Sequence, residues 1–96
     1  MNRDDYKLYI LRCSDETLYT GIACDVPSRL EEHRSGTRGA KYLRGRSPFT
    51  LVFECAVGDR STAQRIEYFV KKLARQDKLD LIAGRRDLPG ATDNSA

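Results

Sequence analysis

Ninety-six residues form one domain, with room for a single core and not for two. With 40% hydrophobic and 32% charged residues the chain is globular rather than disordered, and no run nears the length of a membrane-spanning helix. The formal charge of +3 says little about partners until its distribution along the chain is read. The opening "MNRDDYK" lacks the apolar core of a signal peptide. Cys13, Cys24 and Cys55 are odd in number and form no CxxC or Cys/His cluster. They read as reduced thiols in a cytoplasmic protein.

"YKLYILRC" (6–13) is rich in aromatic, aliphatic and β-branched residues and predicts a strand. "SDE" (14–16) supplies a turn, and "TLYTGI" (17–22) the returning strand of a hairpin. Asp25 is an N-cap for the next helix, and Pro27 is tolerated in the first turn, where its missing N–H has no partner to lose. That helix should end near Ser35-Gly36. Between Arg34 and Arg46, "RSGTRGAKYLRGR" carries Arg34, Arg38, Lys41, Arg44 and Arg46 with no acidic residue. Such a segment suits either a phosphate-following loop or a merely soluble one.

"PFTLVFECAV" (48–57) is a continuous apolar run, read as a third strand buried on both faces. Ser61 and Gln64 match a capping box, from which a helix runs to about Arg75. A shorter helix in "QDKLDLIAG" is closed by Gly84, and the polar residues 85–96 are expected to form a mostly disordered tail. Residues 1–84 then make a single domain of order β-β-α-β-α-α. The fold class is α/β in the broad sense (α+β), a small, mostly antiparallel sheet flanked by helices.

Three groups of residues suggest chemistry. If the hairpin turn is "SDE", Tyr9 lies opposite Gly21 and Leu11 opposite Tyr19, which makes the two tyrosines diagonal neighbours on one face. Gly21 would leave open space across from Tyr9; alternatively both rings are core or rim aromatics. Arg29 and His33 share a helix face, with Val26, Leu30 and His33 pointing inward and Arg29 at the edge. Arg29 could grip a phosphate or pair with Glu32 or Asp25; His33 could orient a proton or be an ordinary hydrogen-bonded histidine. Glu67 falls about 40° from Ala63, inside the apolar stripe of Ala63, Ile66, Val70, Leu73 and Ala74. A carboxylate there must be paired, as with Lys71 at i+4, or hold a cation such as Mg²⁺.

Taken together, these residues resemble the GIY-YIG nuclease family, and most closely its small, stand-alone bacterial members. Lys7-Leu8-Tyr9 and Tyr19-Thr20-Gly21 look like the two halves of its signature, followed by Arg29, His33 and Glu67 in order. The similarity covers roughly residues 6–82. It implies a sandwich with a central three-stranded antiparallel sheet and phosphodiester hydrolysis with Mg²⁺ or Mn²⁺. It casts Tyr9 or Tyr19 near the attacking water, with Tyr9 ahead of Tyr19 as general base, Arg29 as the phosphoryl clamp, His33 as an aid to proton transfer or orientation and Glu67 as metal ligand. Lys7 stands where the signature has its first glycine and Thr20 where it has isoleucine. No asparagine occurs in "QDKLDLIAG", where family members often carry one; Gln76 or Lys78 is the substitute the segment offers.

Two functions follow from this. One is a metal-dependent endonuclease acting on nucleic acid, DNA ahead of RNA, with Arg34, Arg38, Lys41, Arg44 and Arg46 as the binding segment. The other is a catalytically weak or inactive nucleic-acid-binding module of the same fold. Such a small domain has little surface for reading base edges, so nucleic-acid shape or a partner protein would supply specificity.

Overall fold

The strand β1 (Tyr6–Arg12) alternates so that Leu8 and Ile10 face one way and Tyr9 and Leu11 the other, all four fully buried. Both faces of β1 are therefore core, and it lies at the centre of the sheet. The computed structural model describes residues 5–35 and 41–89. The remaining elements are β2 (Leu18–Ala23), α1 (Val26–Ser35), a 3₁₀ turn at Lys41–Leu43, β3 (Thr50–Gly58), α2 (Arg60–Lys71) and α3 (Arg75–Ile82). The sheet is antiparallel, in the order β2-β1-β3. Fold class and element order are as the sequence implies.

Each face of the sheet has its own cluster. Tyr9, Leu11 and Cys13 pack with Val26 and Leu30 of α1 and with Leu43. Leu8 and Ile10 pack with Ile66 and Val70 of α2 and Leu81 of α3. The hairpin register pairs Tyr9 with Gly21 and Leu11 with Tyr19, as the three-residue turn requires. Within that turn Glu16 takes φ of +69°, Cys13 N–H donates to Thr17 O at 2.9 Å, and Glu16 N–H donates to Cys13 O at 2.9 Å.

Three expectations need correction. The 48–57 run is not buried on both faces: β3 is an edge strand, and Leu51 is 39% exposed. The run is continuous because two bulges interrupt the pairing, between Ile10 and Leu11 and between Tyr6 and Lys7. Each bulge inserts a residue out of alternation, so Val52, Phe53 and Val57 all reach the α2–α3 cluster. The α2 cap is Asp59, whose Oδ1 accepts from Thr62 N–H at 2.8 Å, not the Ser61–Gln64 box. Asp59 sits three residues before Thr62, the N3 donor, whereas Ser61 is already helical. Finally, α2 stops at Lys71 rather than near Arg75, and a break precedes α3.

Other expectations match. Asp25 caps α1, its Oδ1 accepting from Ser28 N–H at 3.2 Å, and Gly84 closes α3 at φ +80°. Gly84 N–H donates to Leu81 O and Arg85 N–H to Asp80 O, a Schellman arrangement. Beyond it, Arg85 pairs with Asp80 at 2.9 Å and Leu88 packs against the α2–α3 cluster; residues 90–96 lie outside the described residues. The three cysteines are free thiols, Cys13 buried.

Candidate active site

Tyr9 is the anchor. Its residue is 1% exposed, and its hydroxyl lies 2.9 Å from His33 Nε2, a buried contact between the central strand and the last turn of α1. With Nε2 bare the phenol donates; with Nε2 protonated the imidazole donates back. Gly21 makes the geometry possible, though not by leaving open space. A Cβ there would lie 2.5 Å from Tyr9 Oη and 2.6 Å from Cζ, so the Tyr9 ring itself fills the gap. The expectation of room for a ligand fails because, with no Cβ at Gly21, the Tyr9 ring folds over the bare backbone.

Around this pair the other groups close in. Tyr19 and His33 meet edge to face at 5.7 Å between centroids, and Tyr9 and Tyr19 lie 6.3 Å apart. Arg29, on the same α1 face as His33, is held by Glu32 at 2.8 Å with about a third of its side chain exposed. Tyr19 stands on β2, the edge strand opposite β3, where α1 from one face and α2 from the other can both reach. Lys71 Nζ lies 6.0 Å from the Tyr19 ring centroid and 3.3 Å from Glu67 Oε2. Glu67 is only 21% exposed in its side chain, at the rim of the stripe formed by Ala63, Ile66 and Val70.

The electrostatics follow from burial. Burial, with Tyr19 nearby, pushes the Tyr9 phenol up to about 12, against the opposing hydrogen bond and charge of Arg29. Burial also raises Tyr19, while Lys71 and Arg29 pull it down. His33 is held below its usual range by burial and then by Arg29, with Glu32 opposing. The hydrogen bond to Glu32 raises Arg29, keeping the guanidinium charged. At neutral pH the centre is thus two neutral phenols and a neutral imidazole beside a fixed cation.

Whether Glu67 suits a metal turns on the donors around it. Among the described residues no three His, Cys, Asp or Glu side chains converge, so no multi-ligand protein cage surrounds it. It is nonetheless a partly buried carboxylate, the donor type of a Mg²⁺ site, which takes one or two carboxylates and fills its shell with water and phosphate oxygens. The Lys71 ammonium now paired with it is the group a metal would displace.

The five expected residues, Tyr9, Tyr19, Arg29, His33 and Glu67, come together. The basic segment divides. Lys41 and Arg44 are exposed, and Arg34, also exposed, stands 3.9 Å from Glu31. Arg46 is tied to Asp15 and lies 3.3 Å from Thr17 Oγ1, while its backbone carbonyl accepts from Ser14 N–H at 2.8 Å. It pins this segment to the hairpin turn. Arg38 lies outside the described residues. Gln76, one of the two residues expected in place of the late asparagine, donates to Asp80 at 3.0 Å. Lys7 is on the central strand, not an edge, and Thr20 is buried with its hydroxyl unpartnered among the described residues.

Sequence reasoning treated Lys71 only as a partner for Glu67. Its spacing of four residues signals that pairing. Its approach to Tyr19 depends on how α2 lies against the β2 edge, which no helical periodicity encodes.

The model of the GIY-YIG catalytic domain matches residues 5–80. The chain is 52% identical over 77 residues to a UPF0213 protein of Yersinia pestis (strain Pestoides F), covering 80% of each chain. The same identity and coverage relate it to a UPF0213 protein of Yersinia pseudotuberculosis. The solution NMR structure of a UPF0213 protein from Bacillus halodurans superposes with TM-score 0.55 at 44% identity, over 84% of this chain and 85% of that one. A solution NMR structure of a protein from E. faecalis superposes with TM-score 0.61 at 34% identity, over 86% and 88%. With the match spanning both hairpin tyrosines, both α1 residues and Glu67, the chain belongs to the GIY-YIG family, among its small bacterial UPF0213 proteins.

Proposed function

We propose that this protein is a metal-dependent endonuclease hydrolysing phosphodiester bonds in nucleic acid, with DNA preferred to RNA. The observation that carries the reading is the buried Tyr9–His33 pair at 2.9 Å, hydrogen-bonded by Arg29 and within electrostatic reach of Glu67. A phenol pushed up to about 12 is a poor free base. Joined to a neutral imidazole it becomes a relay. The attacking water gives its proton to Tyr9 Oη as the Tyr9 proton passes to His33 Nε2, so no free phenolate is needed.

Arg29 neutralises the phosphoryl oxygens, and its tie to Glu32 holds the guanidinium in place. Tyr19, neutral at working pH, donates a hydrogen bond toward the phosphate or the incoming water. Glu67 would hold Mg²⁺ or Mn²⁺, which when bound supplies Lewis acidity to the phosphate and the leaving oxygen. Arg34, Arg38, Lys41 and Arg44 would follow the strand, with Arg46 tied to the hairpin turn through Asp15. The free cysteines suit a reducing, cytoplasmic setting, and no helix among the described residues is long and apolar enough to cross a membrane.

The test is a cleavage panel of single-stranded, duplex and branched DNA and RNA with Mg²⁺ and Mn²⁺. Glu67→Ala and Arg29→Ala should each abolish cleavage and leave the fold intact by circular dichroism. Cleavage surviving both substitutions would remove the site assignment. A second reading has its own support: Glu67 and Arg29 are both already neutralised within the protein, by Lys71 and Glu32. A binding module that turns over slowly would then show salt-sensitive binding with no cleavage in either metal, its specificity coming from nucleic-acid shape or a partner protein.

A further inference from the structure

Outside the active site, α2 carries an unusual surface. Tyr68 is 55% and Phe69 40% exposed, and their rings meet edge to face at 5.5 Å. Lys72 Nζ lies 4.8 Å from the centre of the Tyr68 ring. At 100° per residue, Phe69, Arg65, Lys72 and Tyr68 fill one arc of about 100° on the helix, centred about 150° from Glu67. No carboxylate lies at i±3 or i±4 from Arg65 or Lys72. Two solvent-facing rings bracketed by cations are costly decoration for a helix whose other side already fills the core.

The occupant follows from what surrounds the rings. Among the described residues the other large exposed hydrophobic is Leu51. It pairs with Leu11, whose side chain joins the α1 cluster, so it belongs to the face of the sheet away from α2. Among the described residues no comparably exposed aliphatic side chain therefore adjoins the Tyr68–Phe69 pair to form the dry centre of a protein interface. Flat π-faces with flanking cations, of which Arg65 also acts on the Asp59 carboxylate, instead match unstacked bases on a phosphate backbone.

We propose that the Arg65–Tyr68–Phe69–Lys72 flank of α2 binds single-stranded nucleic acid, with bases stacked on the two rings and phosphates held by the two cations. It would hold strand that runs past the cleavage centre on the far side of α2. This rests on the nucleic-acid part of the proposed function and not on cleavage itself.

Fluorescence anisotropy of labelled dT12, rU12 and a 12-base-pair duplex, with metal chelated, tests it. Tyr68→Ala/Phe69→Ala should weaken binding of both single strands about tenfold and leave the duplex nearly unchanged, since a duplex offers no free base faces. Arg65→Gln/Lys72→Gln should reduce the salt slope for dT12 by about 1.4, two phosphate contacts' worth. Unchanged melting by circular dichroism would separate these effects from unfolding. Wild-type affinity for dT12 and rU12 in the ring variant overturns the proposal while leaving the nuclease reading intact. No oligonucleotide binding by the wild type overturns both. Self-association of the wild type that is lost in the ring variant, with oligonucleotide affinity retained, gives the rings to a protein contact and also overturns it.

Discussion

Tyr9 and His33, 24 positions apart and both buried, are joined by a 2.9 Å contact. Burial favours the uncharged phenol and the uncharged imidazole, and Arg29 opposes the first tendency and reinforces the second.

The Tyr9 phenol should therefore be readable on its own. Of five tyrosines in the chain, one should ionise only near pH 12, and Tyr9→Phe should delete that step from an ultraviolet titration. Because the folded value lies above the unfolded one, the associated stability is complete below about pH 10 and lost as pH rises toward 12. The same substitution should lower cleavage about 100-fold or more, the size of a lost proton-transfer group. A Tyr9→Phe protein that keeps both the late titration step and full cleavage would refute the relay.

His33 has the opposite sign. Its folded value lies below its unfolded one, so its contribution is present above about pH 6.5 and lost as pH falls below that. Chemical denaturation between pH 7 and pH 5 should show wild-type stability falling with acidity. His33→Gln, which keeps an acceptor for the Tyr9 hydroxyl but cannot titrate there, should flatten that slope. Equal slopes in the two proteins would mean that His33 protonates freely in the native state.

Much of this arrangement could be read in the residues, and the remainder failed for identifiable reasons. The hairpin register followed from a three-residue turn and strand alternation, and it brought Tyr9 opposite Gly21 and near Tyr19. The α1 face followed from i,i+4 spacing, which aligned Arg29 with His33. The β3 run misled because bulges put consecutive apolar residues on one face, imitating a doubly buried strand. The α2 cap misled because Ser61 and Gln64 match a pattern that Asp59, two residues earlier, satisfies in space. Lys71 beside Tyr19 depends on tertiary packing alone, so no local pattern points to it.

Gly21→Ala tests the close packing of Tyr9 over β2. The new Cβ would sit 2.5 Å from Tyr9 Oη, well inside contact distance, and Tyr9 is too buried to swing clear. Overpacking of this kind costs about 1–3 kcal/mol. Moving Oη also breaks its 2.9 Å contact with His33, so cleavage should fall together with stability. Urea denaturation and a cleavage assay check both. Wild-type values in the two measurements would show that the ring has somewhere else to go.

Thr20 carries the last prediction, and it runs toward higher stability. The residue is 3% exposed, and its Oγ1 has no hydrogen-bond partner among the described residues. It pairs with Ile10, whose side chain lies in the cluster with Ile66, Val70 and Leu81, so its surroundings are hydrocarbon. A buried hydroxyl without a partner costs about 1–3 kcal/mol, and valine keeps its shape while removing the oxygen. Thr20→Val should therefore raise the urea midpoint with the denaturant slope unchanged, a gain of about 1 kcal/mol. Alternation along β2 puts Thr20 on the opposite face from Tyr19 and Gly21, so cleavage should stay at the wild-type rate. A loss of stability on substitution would mean that Oγ1 is satisfied by an ordered water, and the account of an orphaned hydroxyl would fall.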